Sequence, residues 1–345
     1  MVLSYRTSKA SGDYMTFPHR RKLHSWASAL LCLALPAVMA AAGPARADTY
    51  PSQPVRLVVP FPPAGGTDVL SRLVFNKVGV ATHWNVVVEN RAGAGGNIGL
   101  DVVAKAKPDG YTLGMGQTAN LAINPTLYPK MPYDAVKDFT PVVLVSAQPV
   151  VLIVRADSPY KTVADLVAAA KAKPLSMASA GTGTVGHLTG EMFARRAGIK
   201  MLHVPYKGAS PALTDLLGGQ TDFYFATPPI AMPMIKAGKI RALAVTSAKR
   251  LPLLAAVPTV AESGFAGFQA EDWKALVAPA GTSPDVVKRL NAEVNKALAQ
   301  PDTLSKMREE GSEPRGGTPQ DLAAFIKSEN TRWSAIVRES GARVE

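Results

Sequence analysis

Short apolar runs rich in β-branched residues alternate along the chain with segments whose apolar positions repeat every three to four residues. The first pair is a strand pattern at residues 55–61 followed by a helix pattern at residues 68–78. Further strands are predicted at residues 86–89, 111–116, 175–180, 201–206, 222–226 and 240–246, and further helices at 98–107, 187–196 and 209–217. This alternation is typical of an α/β protein.

Two longer extended segments interrupt the alternation. Residues 141–155 have strand composition over about twice the usual strand length, and residues 268–278 form a second extended stretch. We interpret them as crossings between two lobes that together make a hinge. After the second stretch, an N-cap residue followed by proline predicts helix starts at Ser283-Pro284 and Thr318-Pro319.

The chain is therefore predicted to have a two-lobed α/β architecture. Lobe 1 is expected to comprise residues 48–146 plus 263–345, and lobe 2 residues 147–262. In such architectures a ligand binds between the lobes, at the carboxyl ends of strands where helix N-termini converge.

The first 47 residues have the pattern of a secretory signal peptide. Basic residues at 20–22 precede an apolar segment at 26–42, and small residues suited to cleavage follow at 45–47. The apolar segment is shorter than the ~20 residues of a membrane span. It contains Cys32, the only cysteine, so the mature chain has no thiol chemistry. We expect cleavage near Ala47 and a periplasmic location, with Met1 or Met15 as the start.

The charge balance is moderately basic. The whole chain has 38 basic and 26 acidic residues, and removing residues 1–47 takes away six basic and one acidic side chain, which leaves 32 against 25, or +7. This balance favours anionic ligands slightly. Basic residues do not form blocks with interleaved aromatic residues, so a nucleic-acid partner is not expected.

Two glycine-rich turns connect predicted strands to helices and should present free backbone N–H groups to a ligand. In the first, residues 59–68, two prolines stiffen the approach, Gly65 and Gly66 allow close backbone contact, and Thr67 is expected to cap the helix. The second spans residues 179–187. A helix N-terminus with hydroxyl side chains favours an anion, either a carboxylate or a phosphate. A tight turn without a ligand is the alternative for the first loop.

The second turn also satisfies the G-x-G-x-x-G pattern, through Gly181, Gly183 and Gly186. A dinucleotide site is disfavoured by context, because the next strand ends at residues 203–207 without an acidic residue to hold a ribose. A third turn, residues 206–211, contains Lys207, which is either a carboxylate contact or a solvated charge.

Enzymatic constellations are not evident. The mature chain has three histidines, His83, His187 and His203, without metal-ligand spacing, so neither a metal nor a cofactor is expected. The residues around Ser179 lack the first glycine of a nucleophile elbow. His187 is better explained as a polar residue of the first helical turn than as a general base.

Taken together, these segments resemble the substrate-binding proteins of tripartite tricarboxylate transporters, the Bug family, over essentially the whole mature chain. The resemblance is carried by residues 60–68 (PFPPAGGTD), 89–96 (ENRAGAGG), 108–113 (PDGYTL), 181–183 with His187, 203–208 (HVPYKG) and 257–264 (VPTVAESG).

The resemblance implies a type II periplasmic-binding-protein-like fold that closes around a small carboxylate and delivers it to an integral membrane permease of two unlike subunits. It implies that backbone amides and water hold the carboxylate. The chain is expected to be a monomer. The ligand-binding residues that it implies are Phe61, Pro63, Ala64, Gly66, Thr67, Asp68, Gln117, Thr118, Ala119, Ser179, Ala180, Gly181, Thr182, Gly183, Thr184, His187, Tyr206, Lys207, Asp222, Phe225 and Ala226.

The ligand stays open at this point among tricarboxylates, dicarboxylates and aromatic carboxylates. The aromatic run at residues 223–225, followed by Pro228 and Pro229, is either a wall for an aromatic acid or part of the core. A periplasmic sensor subunit is an alternative to a transport receptor. A periplasmic hydrolase or lyase on the same scaffold is a further alternative, disfavoured by the lack of a triad or metal constellation.

Overall fold

The computed structural model describes residues 50–344, so the expected signal peptide and Cys32 lie outside the described residues. Eleven strands and ten α-helices alternate along this part of the chain. The strands are β1 Val55–Val59, β2 Val86–Asn90, β3 Thr112–Gln117, β4 Phe139–Pro149, β5 Val151–Arg155, β6 Leu175–Ser179, β7 Met201–Pro205, β8 Phe223–Ala226, β9 Ile240–Val245, β10 Glu271–Pro279 and β11 Glu313–Gly316. The helices are α1 Gly66–Thr82, α2 Asn97–Ala104, α3 Asn124–Leu127, α4 Val163–Ala172, α5 Val185–Ala197, α6 Ala209–Leu217, α7 Pro228–Lys236, α8 Pro284–Leu298, α9 Pro301–Glu309 and α10 Pro319–Ser340.

The strands form two mixed sheets. The six-stranded sheet has the order β11-β4-β10-β3-β1-β2, with β1 parallel to β2 and β3 and with β10 antiparallel to both β3 and β4. The five-stranded sheet has the order β7-β6-β8-β5-β9, with β6 parallel to β7 and β8. The α/β class predicted from the alternation is therefore confirmed.

The predicted crossings are present. The extended segment 141–155 is two strands, because β4 ends in the six-stranded sheet and β5 begins in the five-stranded sheet, with Val150 between them. The chain leaves the five-stranded sheet after β9 and re-enters the six-stranded sheet at β10. The N-caps of α8 and α10 are Ser283 and Thr318, as predicted, and each side chain accepts a backbone hydrogen bond.

Several elements were not anticipated from the sequence. These are helices α3, α4, α7 and α9, strand β11 and a π-helical turn at Ala119–Ile123. The prolines at 228 and 229 start α7, a helix that also contains Pro233. They are tolerated there because the first turn of a helix needs no backbone donor.

Successive side chains of β10 lie on opposite faces of its sheet. Trp273 is fully buried, and its indole N–H donates to Glu329 Oε2 over 2.9 Å. Glu329 lies on α10, so this bond fixes α10 against this face of the sheet. Within α10, the indole of Trp333 donates to the same oxygen over 2.9 Å. Side chains alternate along a strand, so the neighbours of Trp273 point to the other face.

Thr246 ties the two crossings together. Its amide donates to Val150 O over 3.0 Å, and its carbonyl accepts from Ala270 N over 3.0 Å. Its hydroxyl accepts from Val150 N over 2.9 Å and donates to Ala270 O over 2.6 Å. Thr246 is fully buried. One residue therefore satisfies backbone groups of both crossings.

Replacing Thr246 with valine, which has nearly the same shape, should destabilise the protein by about 2–3 kcal/mol, because a buried N–H and a buried carbonyl lose their partner. Urea unfolding measures this change. Thr189→Val is the matched control: Thr189 is equally buried, and its hydroxyl has no partner among the described residues. That control should be neutral or stabilising, and equal losses in both variants would contradict the role given to Thr246.

Candidate ligand-binding site

A cavity of about 320 Å³ is lined by loops from both sheets. The β1–α1 loop contributes residues 61–67, and Gln117 at the end of β3 adjoins it. From the five-stranded sheet come Ala180, residues 184–186, residues 207–211, and residues around the end of β8. Gln148, Asp272 and Lys274, on the paired strands β4 and β10, complete the wall.

The residues expected to bind the ligand fall into two groups. Those in the cavity wall are Phe61, Pro63, Ala64, Gly66, Thr67, Gln117, Ala180, Thr184, Lys207 and Phe225. Those outside the wall are Asp68, Thr118, Ala119, Ser179, Gly181, Thr182, Gly183, His187, Tyr206, Asp222 and Ala226. Many of the second group hold the shape of the loops that carry the first.

Asp68 organises the β1–α1 loop from behind. Its carboxylate accepts from Ala64 N over 2.9 Å and from Asn90 Nδ2 over 2.9 Å, and Asn90 also donates to Phe61 O. Burial opposes ionisation of Asp68, but hydrogen bonds from Arg72, Ala64 and Asn90 outweigh it and lower its pKa. Ala64 itself has a left-handed backbone, with φ 61°. The bond from its amide to Asp68 holds this strained turn in place.

Thr67 does not cap its helix, contrary to the expectation from the sequence. The N-cap of α1 is Gly65, which has no side chain to bond with the helix. Thr67 lies inside the first turn, and its hydroxyl donates to Gln117 Oε1 over 2.6 Å. Thr118 accepts from Trp273 N over 2.8 Å, so it connects β3 to β10 and does not face the ligand.

The β6–α5 loop depends on glycines for close approach. Gly183 has φ 82°, and a Cβ there would lie 2.6 Å from Asn124 Oδ1 and 3.0 Å from Leu127 Cδ2. Gly181 has φ 135°, and a Cβ there would lie 3.1 Å from Tyr206 O. Both backbone conformations favour glycine strongly. The G-x-G pattern therefore reflects contacts of the loop with its neighbours, including the α3 region.

Two stacked histidines support the same loop. The rings of His187 and His203 lie 3.8 Å apart between centroids and are nearly parallel, at 12°. His187 Nδ1 accepts from Gly183 N over 3.2 Å, so its ring proton is on Nε2, 3.6 Å from Glu191 Oε1. Burial, with a smaller contribution from His187, lowers the pKa of His203 to about 3. His203 is therefore neutral at physiological pH.

The pair of Ser179 and His203 is not arranged for nucleophilic catalysis. Ser179 Oγ lies 2.7 Å from His203 Nε2, but Ser179 is fully buried and is not part of the cavity wall. Its Oγ also exchanges hydrogen bonds with the backbone of Gly181. A histidine with a pKa of about 3 is a poor general base near neutral pH. The pair braces the glycine loop.

The third loop brings one cation to the cavity. Lys207 is exposed at the cavity wall, and Gly208 N donates to Ala180 O over 3.1 Å, which joins this loop to the second. Tyr206 and Asp222 bond elsewhere, because the Tyr206 hydroxyl donates to Asp215 Oδ2 and Asp222 Oδ2 accepts from Ser176, each over 2.7 Å.

Three helices begin at the cavity wall. Gly65 and Gly66 start α1, Val185 and Gly186 start α5, and Ala209 starts α6. The first N–H groups of a helix lack intrahelical partners, and the helix dipole places partial positive charge there. The cavity therefore offers several backbone donors to an anion. Within residues 50–344, no cluster of three His, Cys, Asp or Glu side chains is suited to a metal ion.

Sequence reasoning missed Gln148, Asp272 and Lys274. Asp272 and Lys274 are 5% and 2% exposed, and Lys274 Nζ lies 2.7 Å from Asp272 Oδ2. The available signal was two opposite charges at alternate positions of a strand that is otherwise apolar from residue 273 to 278. Charged side chains in a buried strand need partners of opposite charge or hydrogen-bond partners, so this pattern indicates a cluster of polar side chains on one face of the sheet.

A family model described as "Tripartite tricarboxylate transporter family receptor" matches residues 72–342. The chain belongs to this family. The resemblance found in its motifs is therefore confirmed. Among curated relatives of this receptor, a UPF0065 protein from the tcbD-tcbE intergenic region of Pseudomonas sp. strain P51 is 44% identical, over 85% of this chain and 88% of the relative. BugT of Bordetella pertussis is 39% identical, over 88% of this chain and 94% of BugT.

Solved structures agree with this membership. An R. palustris protein solved with adipate is 38% identical, with a TM-score of 0.82 over 86% of this receptor and 100% of that chain. The periplasmic binding protein BugD is 36% identical, with a TM-score of 0.80 over 86% of this receptor and 100% of BugD. MatC of Rhodopseudomonas palustris, with bound malate, is 33% identical, with a TM-score of 0.78 over 84% of this receptor and 100% of MatC. The receptor family and these neighbours are solute-binding proteins and not enzymes.

The His203 environment predicts a pH dependence of stability. Its pKa is about 3 in the folded protein and about 6.5 when unfolded, so the unfolded chain binds a proton first as the pH falls. The contribution of neutral His203 to the free energy of unfolding is complete above pH ~6.5 and is lost progressively toward pH ~3. The loss is up to about 1 kcal/mol per pH unit after allowance for the partial exposure of the ring. His203→Gln should flatten the free energy of unfolding between pH 6.5 and 4 in urea titrations. Identical slopes in parent and variant would refute this origin.

Proposed function

We propose that this receptor is an extracytoplasmic solute-binding protein that captures a small carboxylate and delivers it to a tripartite tricarboxylate transporter. The convergence of the α1, α5 and α6 N-termini on one cavity carries the proposal, because their N–H groups stabilise an anion without a dedicated cation. Each hydrogen bond to the charged group contributes about 1.5–3 kcal/mol.

The relatives support a carboxylate as the ligand. One structural neighbour was solved with adipate and another with malate. The cavity of this chain, at about 320 Å³, lies at the lower end of the ~300–1,000 Å³ typical of small-molecule sites. It is therefore suited to a small organic acid.

We further propose that the two sheets belong to two lobes that close on the ligand, with the boundaries expected from the sequence near residues 146 and 263. The chain passes between the sheets at Val150 and before β10, and the wall combines loops from both sheets, which supports this division. Export through cleavage near Ala47 fits a family whose member BugD is periplasmic.

Ligand binding is tested by thermal unfolding of the exported chain with mono-, di- and tricarboxylates, aromatic acids and nicotinamide dinucleotides. A carboxylate at 100 times its Kd should add about 2.7 kcal/mol of stability. The methyl ester of the same acid is the control, and it should lose most of the shift because it lacks the anion. A shift with dinucleotides alone, or consumption of the acid, would overturn the proposal.

Delivery to a transporter is tested in cells that lack the gene for this chain. Uptake of the labelled acid found in the unfolding screen should fall to the background of cells without the permease, because transport receptors supply the bound solute. Restoring the gene should restore uptake. If uptake is unchanged while the acid still binds the protein, the transport role is refuted and a sensor role takes its place.

A further inference from the structure

Three neighbouring strands place polar side chains on one face at the cavity. Asp272 and Lys274 are two residues apart on β10 and so point to the same side of the sheet. Asp272 pairs across to Gln148 on β4, and Lys274 pairs across to Gln117 on β3. All four residues line the cavity and are almost fully buried. The strand pairing therefore builds a rigid polar patch into the wall.

The hydrogen bonds within this patch leave acceptors unused. Lys274 Nζ donates to Asp272 Oδ2 over 2.7 Å, and Gln148 Nε2 donates to the same oxygen over 3.2 Å. Asp272 Oδ1 and Gln148 Oε1 accept no hydrogen bond from any described residue, and the three N–H groups of Lys274 Nζ have one described acceptor, Asp272 Oδ2. These atoms belong to almost fully buried side chains that line the cavity, so they are suited to a ligand group that both donates and accepts hydrogen bonds.

The charges of the patch are already balanced. Lys274 and Asp272 neutralise one another. Burial raises the pKa of the nearby Glu310, an effect that Lys274 partly offsets. Burial, with a smaller effect of Asp272, raises the pKa of Tyr224, so its hydroxyl stays protonated beside the patch. A bare carboxylate placed here would leave an uncompensated buried negative charge, whereas a neutral group with both donor and acceptor atoms would not.

We propose that Asp272, Lys274 and Gln148 form a second subsite that selects ligands with a neutral hydrogen-bonding group, a hydroxyl or a primary amide, at the end opposite the carboxylate. The inference rests on the proposed function, since the helix N-termini hold the carboxylate end. It narrows the ligand class to hydroxy and amide monocarboxylic acids, in preference to dicarboxylic acids of the same length.

The test compares four six-carbon acids by calorimetry with the exported chain: 6-hydroxyhexanoate, the monoamide of adipate, adipate and hexanoate. The hydroxy acid and the monoamide should each bind at least about tenfold more tightly than adipate, because adipate places a negative charge on the patch. They should also bind at least about tenfold more tightly than hexanoate, because hexanoate leaves the acceptors of the patch unsatisfied. Adipate as the tightest ligand, or equal affinities for all four, would overturn the subsite.

Asp272→Asn should change the order of affinities. The variant leaves Lys274 without its counterion, so adipate should gain about tenfold relative to the monoamide. The double variant Asp272→Asn/Lys274→Met removes both charges and avoids an unpaired buried lysine, and it should bind adipate no better than hexanoate. An Asp272→Asn variant and a double variant that both keep the parent order would refute the role of these residues.

Asp302→Asn is the matched control, because Asp302 is an exposed partner of Lys77 and is not part of the cavity wall. It should keep the parent order of affinities. The outcomes also separate the two proposals. If the acids bind without preference, the subsite fails and the carboxylate receptor stands. If neither these acids nor any carboxylate of the unfolding screen binds, both fail.

Discussion

The pairing of β4 with β10 is the constraint on which the rest of the structure depends. These strands pair from Phe139 with Pro279 to Pro149 with Glu271, and the chain passes to the five-stranded sheet beyond that last pair. One face of β10 buries Trp273 against α10, and the other carries Asp272 and Lys274 into the cavity. The same pair of strands thus joins the sheets, anchors the C-terminal helix and sets the chemistry of the wall.

The crossings lie in a buried region, so every backbone group there needs a partner. Thr246 provides partners for Val150 and Ala270 with both its backbone and its hydroxyl. These hydrogen bonds join the two crossings directly to one another.

The anion site and the polar patch solve different electrostatic problems. At the helix N-termini, oriented N–H groups supply positive potential without a mobile side chain, and this potential favours anions in general. Asp68 binds Ala64 and Arg72, and His203 stays neutral through burial, whereas Lys207 is exposed at the cavity wall. The remainder of the wall differs, because Asp272 and Lys274 place two buried charges there.

The amino-acid sequence determined the α/β class, most element positions, the two crossings and the loops that carry glycine. Local patterns suffice there, because apolar periodicity, proline and glycine act over a few residues. Of the ligand-binding residues that the family resemblance implies, Phe61, Thr67 and Ala180 lie in the cavity wall. The resemblance also included Asp68, Ser179 and Gly183, whose side chains or backbone support the loops from behind.

Only the tertiary structure decided which polar residues face the cavity. Thr67 matched a capping pattern, yet its partner is Gln117, which is 50 residues away in the chain. Asp272 and Gln148 are 124 residues apart and meet only through strand register. Register between distant strands depends on the packing of both sheets, so no local pattern in the sequence encodes it. Strand pairing therefore determines which polar residues form the cavity wall.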